Sequence, residues 1–432
     1  MLLIDFSLLF TGFPINKTKK KLEEIQELNG YKLNEFIEFK KREIVDFHIQ
    51  NNSFYNELVK HIDYKKWNKL PVLTKKDLQK ELIKRLSKGY NPKNIYVNKT
   101  SGSTGDPFYF AKDKYTHALT WSNIKFNFNN HKLYGTKQAR FYGIPKHGLP
   151  RIKERLKDFF SNRYRFNVFD LSDEALKKWV YNFKKNKYIY LNGYTTVLVV
   201  FAEYLINNNL VLKKICPTIK ACVVTSEMCS DSDREKLEKG LGVKVINEYG
   251  ASELDLIAFE DENLDWVVNR QTLFIEILDN ENNNVEYGKE GRIVITSLFN
   301  KAHPFIRYEI GDRGILENKG GKIILKKLIG RKEDLIHLPS GKTCPGLTFY
   351  YVTKSVMEDN DNIREIKIIQ SKLNTFEVHY SSKYVLKESQ IKKINEALLN
   401  YLEPNLVLNF VRKDKIERSK SGKLKQFTSL IN

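Results

Sequence analysis

The sequence predicts an α/β fold. A large N-terminal domain over residues 1–330 carries mixed and parallel sheet flanked by helices, with an antiparallel β subdomain. A small, mobile α+β domain follows over 331–432. Three observations predict this. Strand-like and helix-like segments alternate between residues 114 and 240, the pattern of a parallel sheet with crossover helices. After residue 265 short strands follow one another across Asn- and Gly-rich turns, as antiparallel strands do. Beyond 331, the strands REIKIIQ, TFEVHYS and LVLNFVR surround the helix KESQIKKINEALLNYL, a unit of independent-domain size.

The elements follow in order. Residues 1–90 form a helical entry segment. Within it FIEFKKREIVDF and KKDLQKELIKRLSKGY space their apolar residues by three and four, and Thr74 caps the second. NIYV is a strand running into a Gly/Ser/Thr loop. KYTHALTWSNIKFNFNNH is a helix and ARFYGIP a strand. DEALKKWVYNFKKN, TTVLVVFAEYLINNN and SDSDREKLEKGLG are helices alternating with the strands YIYLNG, IKACVVTSE and VKVINEYGASE. FIEILD, GRIVITSL, IRYEIGDRGILE and KIILKKLIG are the short strands, joined by NENNN, YGKEG and NKGG.

Composition narrows the class. With 41% hydrophobic and 12% aromatic residues over 432 positions, the chain is not disordered. No run of 18 apolar residues occurs, so no transmembrane helix is expected. The opening MLLIDFSLLFTGFP lacks a basic start and Asp5 interrupts it; it reads as a docking segment, not a secretion signal. Cys216, Cys222, Cys229 and Cys344 form no C-x-x-C pair and read as reduced thiols of a cytoplasmic protein, neither disulfides nor a zinc knuckle. The charge is 73 basic minus 52 acidic residues, or +21. That balance suits nucleic acid, an anionic membrane or a phosphorylated ligand. Lys spread along the whole chain amid much Asn and Ile is better explained by base composition, so no nucleic-acid partner is expected. The chain is expected to be a monomer or homodimer.

Five loops carry chemistry. In Lys99–Pro107, Gly102 and Gly105 allow backbone N–H groups to converge on an anion, and Thr100, Ser101, Ser103 and Thr104 add hydroxyl donors. This is a phosphate cradle by chemistry, without Walker A spacing. Tyr249-Gly250-Ala251-Ser252-Glu253 follows an apolar strand; a Tyr face can stack on a base, and a carboxylate can hold Mg²⁺. In Arg307–Arg313, Asp312 follows a Gly turn and can accept two ribose hydroxyls. Gly330-Arg331-Lys332-Glu333-Asp334 and Ser419-Lys420-Ser421-Gly422-Lys423 complete the set. Each alone is most simply a surface turn.

In order and spacing the five resemble the adenylate-forming superfamily of acyl- and aryl-CoA ligases, adenylation domains and luciferases. The missing Lys after Pro107, together with RFYGIPKHGLPRIKERLKDFFSNRYRFNVFDLSDE and LNGYTTVL, resembles its phenylacetate–CoA ligase and CapK-like branch. The resemblance covers about residues 90–432. It implies that Thr100–Gly105 wrap the β,γ-phosphates of ATP. It implies that Thr225, Ser226 and Glu227 line the adenine and acyl pocket, that Tyr249 and Gly250 pack on adenine, and that Ser252 contacts the α-phosphate region. Glu253 would coordinate Mg²⁺, Asp312 the ribose, and Arg331 ribose or phosphate. Glu333 and Asp334 would be the hinge and Lys423 the catalytic lysine. Tyr142, Gly193, Tyr194 and Thr225 are the acid-pocket neighbourhood. The implied activity is ATP-dependent conversion of a small carboxylic acid to an acyl-adenylate, then transfer to CoA. Transfer to an amine or sugar hydroxyl in surface-polysaccharide synthesis is the alternative. Outside the enzymes, the chain could be a basic nucleic-acid binder or a degenerate binding module; Glu253, Asp312 and Lys423 together argue against degeneration.

Overall fold

The computed structural model describes residues 9, 11–99, 108–142, 148–168, 171, 173–331, 335–341, 343–345, 363–417 and 427–431. Its contacts divide the chain into two compact units, Met1–Ile310 with Ile315–Lys327, and Gly311–Gly314 with Leu328–Asn432.

The first unit opens with helices Ile15–Gln26, Gly30–Asn51 and Ser53–Val59. The helix expected from Thr74 onward does not form. Thr74 closes a turn with Asp77, and the only helical piece is a 3₁₀ turn at Leu82–Arg85. Distant partners explain the difference. The Leu73 N–H donates to the Arg307 carbonyl at 2.9 Å, and the Leu73 carbonyl accepts from Glu309 at 2.8 Å. Arg85 is buried and donates to the carbonyls of Lys80 and Tyr109. Such tertiary bonds override helix propensity.

Strands β1 (Tyr96–Lys99) and β2 (Tyr109–Lys112) pair antiparallel and bracket the Gly-rich loop. One sheet of eleven strands then organises the unit. In chain order these are β3 (Gln138–Phe141), β4 (Arg163–Arg165), β5 (Tyr190–Tyr194), β6 (Ala221–Thr225), β7 (Lys244–Ala251) and β8 (Asp255–Glu260). They continue as β9 (Trp266–Val268), β10 (Leu273–Leu278), β11 (Glu290–Ser297), β12 (Tyr308–Lys319) and β13 (Lys322–Arg331). Their spatial order is β10-β11-β12-β13-β9-β8-β7-β6-β5-β3-β4. Strands β4, β3, β5, β6 and β7 run parallel; the sense reverses between β7 and β8. The antiparallel strands therefore continue the parallel sheet through one hairpin.

The crossover helices stand where the sequence places them, at Asp173–Lys185, Thr195–Asn207 and Asp231–Leu241. The last is bounded by a Ser230–Asp233 capping box and by Gly242 at φ +69°, a start and a stop written in the sequence. Helix and strand faces meet in an aromatic core of Phe141, Phe166, Trp179, Phe183 and Phe201, with Phe141 and Phe166 stacked at 4.7 Å. Cys216 and Cys222 are buried free thiols in this core. A further helix, Gly148–Phe160, precedes edge strand β4.

The second unit contains a two-stranded pair, β14 (Leu335–His337) and β15 (Thr343–Pro345). It also holds a sheet of β16 (Ile363–Lys372), β17 (Thr375–Ser382), β18 (Val407–Arg412) and β19 (Phe427–Ser429), ordered β18-β17-β16-β19. Helix Glu388–Tyr401 buries Ile394 and Leu398 in one cluster with Ile366, Ile368, Phe376 and Val378 of the sheet. Alternate residues of each strand supply that face.

Candidate active site

The parallel strands end together. Phe141 pairs with Gly193, Tyr194 with Thr225, and Thr225 with Glu248. Next to β3 the chain leaves for β4 on one side and returns to β5 on the other. A crevice outside the carboxyl ends at such a switch point is where open α/β sheets bind ligands. Tyr142 and Tyr194 meet there with ring centroids 4.7 Å apart. The Thr225 hydroxyl donates to Glu248 Oε1 at 3.0 Å. Arg140 lies 4.0 Å over the Tyr142 ring and donates to Asn192 Oδ1 at 3.3 Å. Burial raises the pKa of both Tyr142 and Glu248.

Three of the four pocket candidates thus converge. The fourth, Gly193, has a packing role: a Cβ there would lie 2.4 Å from Phe141 Cβ. Arg140 and Glu248 were not singled out in the sequence. The available signal is a charged residue within a strand-like segment.

Strand β6 leads into Ser226, exposed and at φ +70°, an outlier of the kind found at functional sites. Glu227 is committed elsewhere. Its Oε2 accepts the Thr196 N–H at 2.8 Å and its carbonyl accepts the Thr195 hydroxyl at 3.1 Å. A carboxylate at the start of helix Thr195–Asn207 matches the helix dipole.

The Tyr249–Glu253 motif forms the β7–β8 hairpin. The register shifts between Tyr249 and Gly250, and a Cβ on Gly250 would lie 2.7 Å from the Asp255 carbonyl. Tyr249 is buried, its ring edge-on to Trp266 at 6.0 Å. Glu253 stands in the turn, 8% exposed, and its Oε1 accepts the Tyr308 hydroxyl at 3.1 Å. Lys112, buried at the end of β2, donates to the Ser252 carbonyl at 2.9 Å and pairs with Asp255, which also accepts from Thr120. The strand leaving the Gly-rich loop, the glutamate turn and the start of the Arg307–Arg313 motif are therefore joined by side-chain bonds. Lys112 and Tyr308 do this; the sequence shows Lys112 only as a residue past one motif and Tyr308 only as a member of another.

Arg307, at φ +46°, is buried and donates to the carbonyl of Leu70 at 2.7 Å. Gly311 stands at φ +87° and precedes Asp312, which is buried within β12, not in a hairpin turn. Arg331 closes β13. Thr100, Ser101, Gly102, Ser103, Thr104, Gly105, Glu333, Asp334 and Lys423 lie outside the described residues. Among the described residues no group of three or more His, Cys, Asp or Glu is placed to hold a metal. A lone carboxylate still suits Mg²⁺, which takes one or two protein carboxylates together with phosphate oxygens. One donor on Glu253 leaves a carboxylate acceptor capacity.

No family model matches the chain. Protein CapK of Staphylococcus aureus is 26% identical over 428 residues, spanning 94% of this chain and 91% of that protein. Among solved structures, 2-hydroxyisobutyryl-CoA ligase in the postadenylation state, in complex with 2-HIB-AMP, superposes with a TM-score of 0.66 at 14% identity. That match covers 91% of this chain and 88% of the ligase. The anthranilate CoA ligase AuaEII in complex with anthranoyl-AMP gives 0.53 at 13% identity, over 76% and 65% of the two chains. ATP-bound MatB from Rhodopseudomonas palustris gives 0.51 at 14% identity, over 74% and 64%.

Proposed function

The chain has the fold of the adenylate-forming enzymes, and from that premise we propose that it activates a small carboxylic acid with ATP, releases pyrophosphate and passes the acyl group to an acceptor. The observation that carries this is the Glu253 turn. It is tied by Lys112 to the far end of the strand that follows the Gly-rich loop and by Tyr308 to the motif bearing Asp312. On this reading the three motifs would serve as phosphate cradle, metal-binding carboxylate and ribose acceptor.

A carboxylate is a poor electrophile, and its attack on the α-phosphate brings two anions together. Orientation of the pair is the first requirement. Glu253 would hold Mg²⁺, which supplies charge neutralisation at the phosphates. The Gly-rich backbone would receive the leaving pyrophosphate. Tyr142, Tyr194 and Thr225 would seat the acid; their short, aromatic walls suit a small or aromatic acid over a long acyl chain. Lys423 would oppose the charge that grows in the transition state.

CoA is the acceptor we favour, from the ligases of like fold. The near-full-length similarity to Protein CapK supports a second reading, in which an amine or hydroxyl of a sugar accepts the acyl group in surface-polysaccharide synthesis. ATP–pyrophosphate exchange over a panel of aryl, amino and short aliphatic acids tests the activation step. Acid-dependent exchange is expected; none with any acid, in protein that binds ATP, would refute it. Thioester formation with CoA against ester or amide formation with sugars then separates the acceptors.

A further inference from the structure

Helix Gly148–Phe160 is attached through its charged face. Asp158, 3% exposed, takes a bidentate pair from Arg165, through Nε at 3.0 Å and Nη2 at 2.8 Å, and a third bond from Arg163 at 2.5 Å. Glu154 accepts from Arg165 at 3.0 Å. Both arginines belong to β4, the edge of the eleven-stranded sheet. Four apolar residues point the other way. Ile152 is 57% exposed, Leu156 53%, Phe159 69% and Phe160 37%. At spacings of four, three and one they form a single stripe. A surface helix ordinarily turns such a stripe to the core and its charges to water. Here the arrangement is inverted, on a helix about 20 Å long.

We propose that this stripe docks on an anionic lipid surface, entering the boundary between headgroups and acyl chains. Charge complementarity selects this occupant. Arg155 and Lys157 are exposed on the same helix, Lys157 lying 2.7 Å from Glu154, while Asp158 and Glu154 are turned to the β4 arginines. An apolar stripe with basic residues alongside is the pattern of helices that lie in a membrane interface, and negative headgroups attract each nearby cation. A second copy of the chain would set Arg155 and Lys157 of this helix against their like. Four side chains also offer well under the ~800 Å² per partner of a stable interface. Among the described residues no helix is long and apolar enough to cross a membrane; the docking is peripheral.

Vesicle co-sedimentation tests the proposal with the full-length protein. Wild type is expected to sediment with phosphatidylglycerol-containing vesicles and not with pure phosphatidylcholine. The exposed double variant Leu156→Glu/Phe159→Glu, its fold checked by circular dichroism, is expected to partition at least ~10-fold less. Phe159→Trp supplies a second readout that retains the stripe: bilayer insertion blue-shifts the emission of the new indole and exposes it to quenching by brominated lipid. Equal sedimentation of wild type and the double variant, or an indole left unquenched in Phe159→Trp, would assign any binding to general surface charge and overturn the proposal. So would a concentration-dependent dimer that the double variant abolishes without vesicle binding.

Discussion

The Tyr308 hydroxyl donates to Glu253 across 3.1 Å, joining the first residue of β12 to the turn between β7 and β8. The Tyr308 ring is fixed independently: it stacks on Phe108 at 6.4 Å and meets Phe305 edge-on at 5.2 Å. Tyr308→Phe therefore removes the hydrogen bond and keeps the packing. The expected outcome is a stability loss of about 1 kcal/mol and weaker adenylation with an increased Mg²⁺ requirement. Glu253→Gln should reduce ATP–pyrophosphate exchange by ~10²-fold or more, the scale of losing one transition-state charge contact. Unchanged exchange in Glu253→Gln would remove this residue from the metal site.

Lys112 holds the other side of the same turn. Lys112→Met leaves Asp255 without its buried cation and the Ser252 carbonyl without its donor. Breaking a buried pair from one side costs ~3–5 kcal/mol. The urea midpoint should fall accordingly, and the double variant Lys112→Met/Asp255→Asn, which removes the charge and tolerates the φ of +70° at this position, should recover part of the loss. No recovery would mean the two do not act as a pair.

How far the sequence disclosed all this depended on the range of the interactions. Ser230 and Gly242 bound their helix by contacts within a few residues, and apolar runs between the crossover helices mark the parallel strands. The segment from Thr74 to Tyr90 has helical spacing too, but it is anchored from outside: Leu73, just before it, bonds to Arg307 and Glu309, and within it Ser87 bonds to Ala302, each more than 200 positions away. Local pattern holds no trace of such partners. The site divides the same way. Glu253 and Asp312 sit in short motifs; Lys112, Tyr308 and Glu248 acquire meaning only when distant strands align. Glu227 shows the converse: it adjoins the motif, yet its carboxylate serves a helix start. Periodicity likewise marks the stripe of helix Gly148–Phe160 without saying which way it faces.

Gly193 tests the strand packing beneath the pocket. A Cβ would come 2.4 Å from Phe141 Cβ and 2.6 Å from the Phe141 carbonyl, and backbone cannot give way as a side-chain tip can. Gly193→Ala should destabilise the protein by ~1–3 kcal/mol or more, as read from thermal unfolding. An unchanged melting temperature would show that β3 and β5 can separate without loss.

His48 is fully buried and neutral, with Nε2 bonded to the Asn300 carbonyl at 2.9 Å and Nδ1 to Ser87 Oγ at 3.2 Å. Burial lowers its pKa to about 4, against 6.5 in the unfolded chain. Above pH 6.5 neither state binds the proton, and stability is unaffected. As pH falls below 6.5 the unfolded chain is protonated first, so stability declines until the folded state is protonated as well, near pH 4. The loss between pH 7 and pH 5 should be roughly 2 kcal/mol. His48→Gln should flatten that part of the urea-midpoint profile; an identical slope in the variant would assign the titration to other groups.

Lys423 lies near the chain end in Lys420-Ser421-Gly422-Lys423-Leu424-Lys425, where three lysines compete for one role. As exposed charges they would be interchangeable and nearly silent, since solvated lysines contribute little. A catalytic lysine would stand apart. Only Lys423 follows the glycine and matches the catalytic position implied by the resemblance. A compact ammonium there can bridge phosphate and carboxylate as charge builds between them. Lys423→Ala should lower adenylate formation by two to three orders of magnitude, roughly the effect of removing a preorganised charge. Acyl transfer from supplied acyl-adenylate should be largely retained, because the charge is needed only while pyrophosphate departs. Lys420→Ala and Lys425→Ala should change either half-reaction little. Normal adenylation by Lys423→Ala, with loss in a neighbouring variant, would move the role along the loop. Silence of all three would remove this loop from the chemistry and leave Glu253 to be explained without a partner.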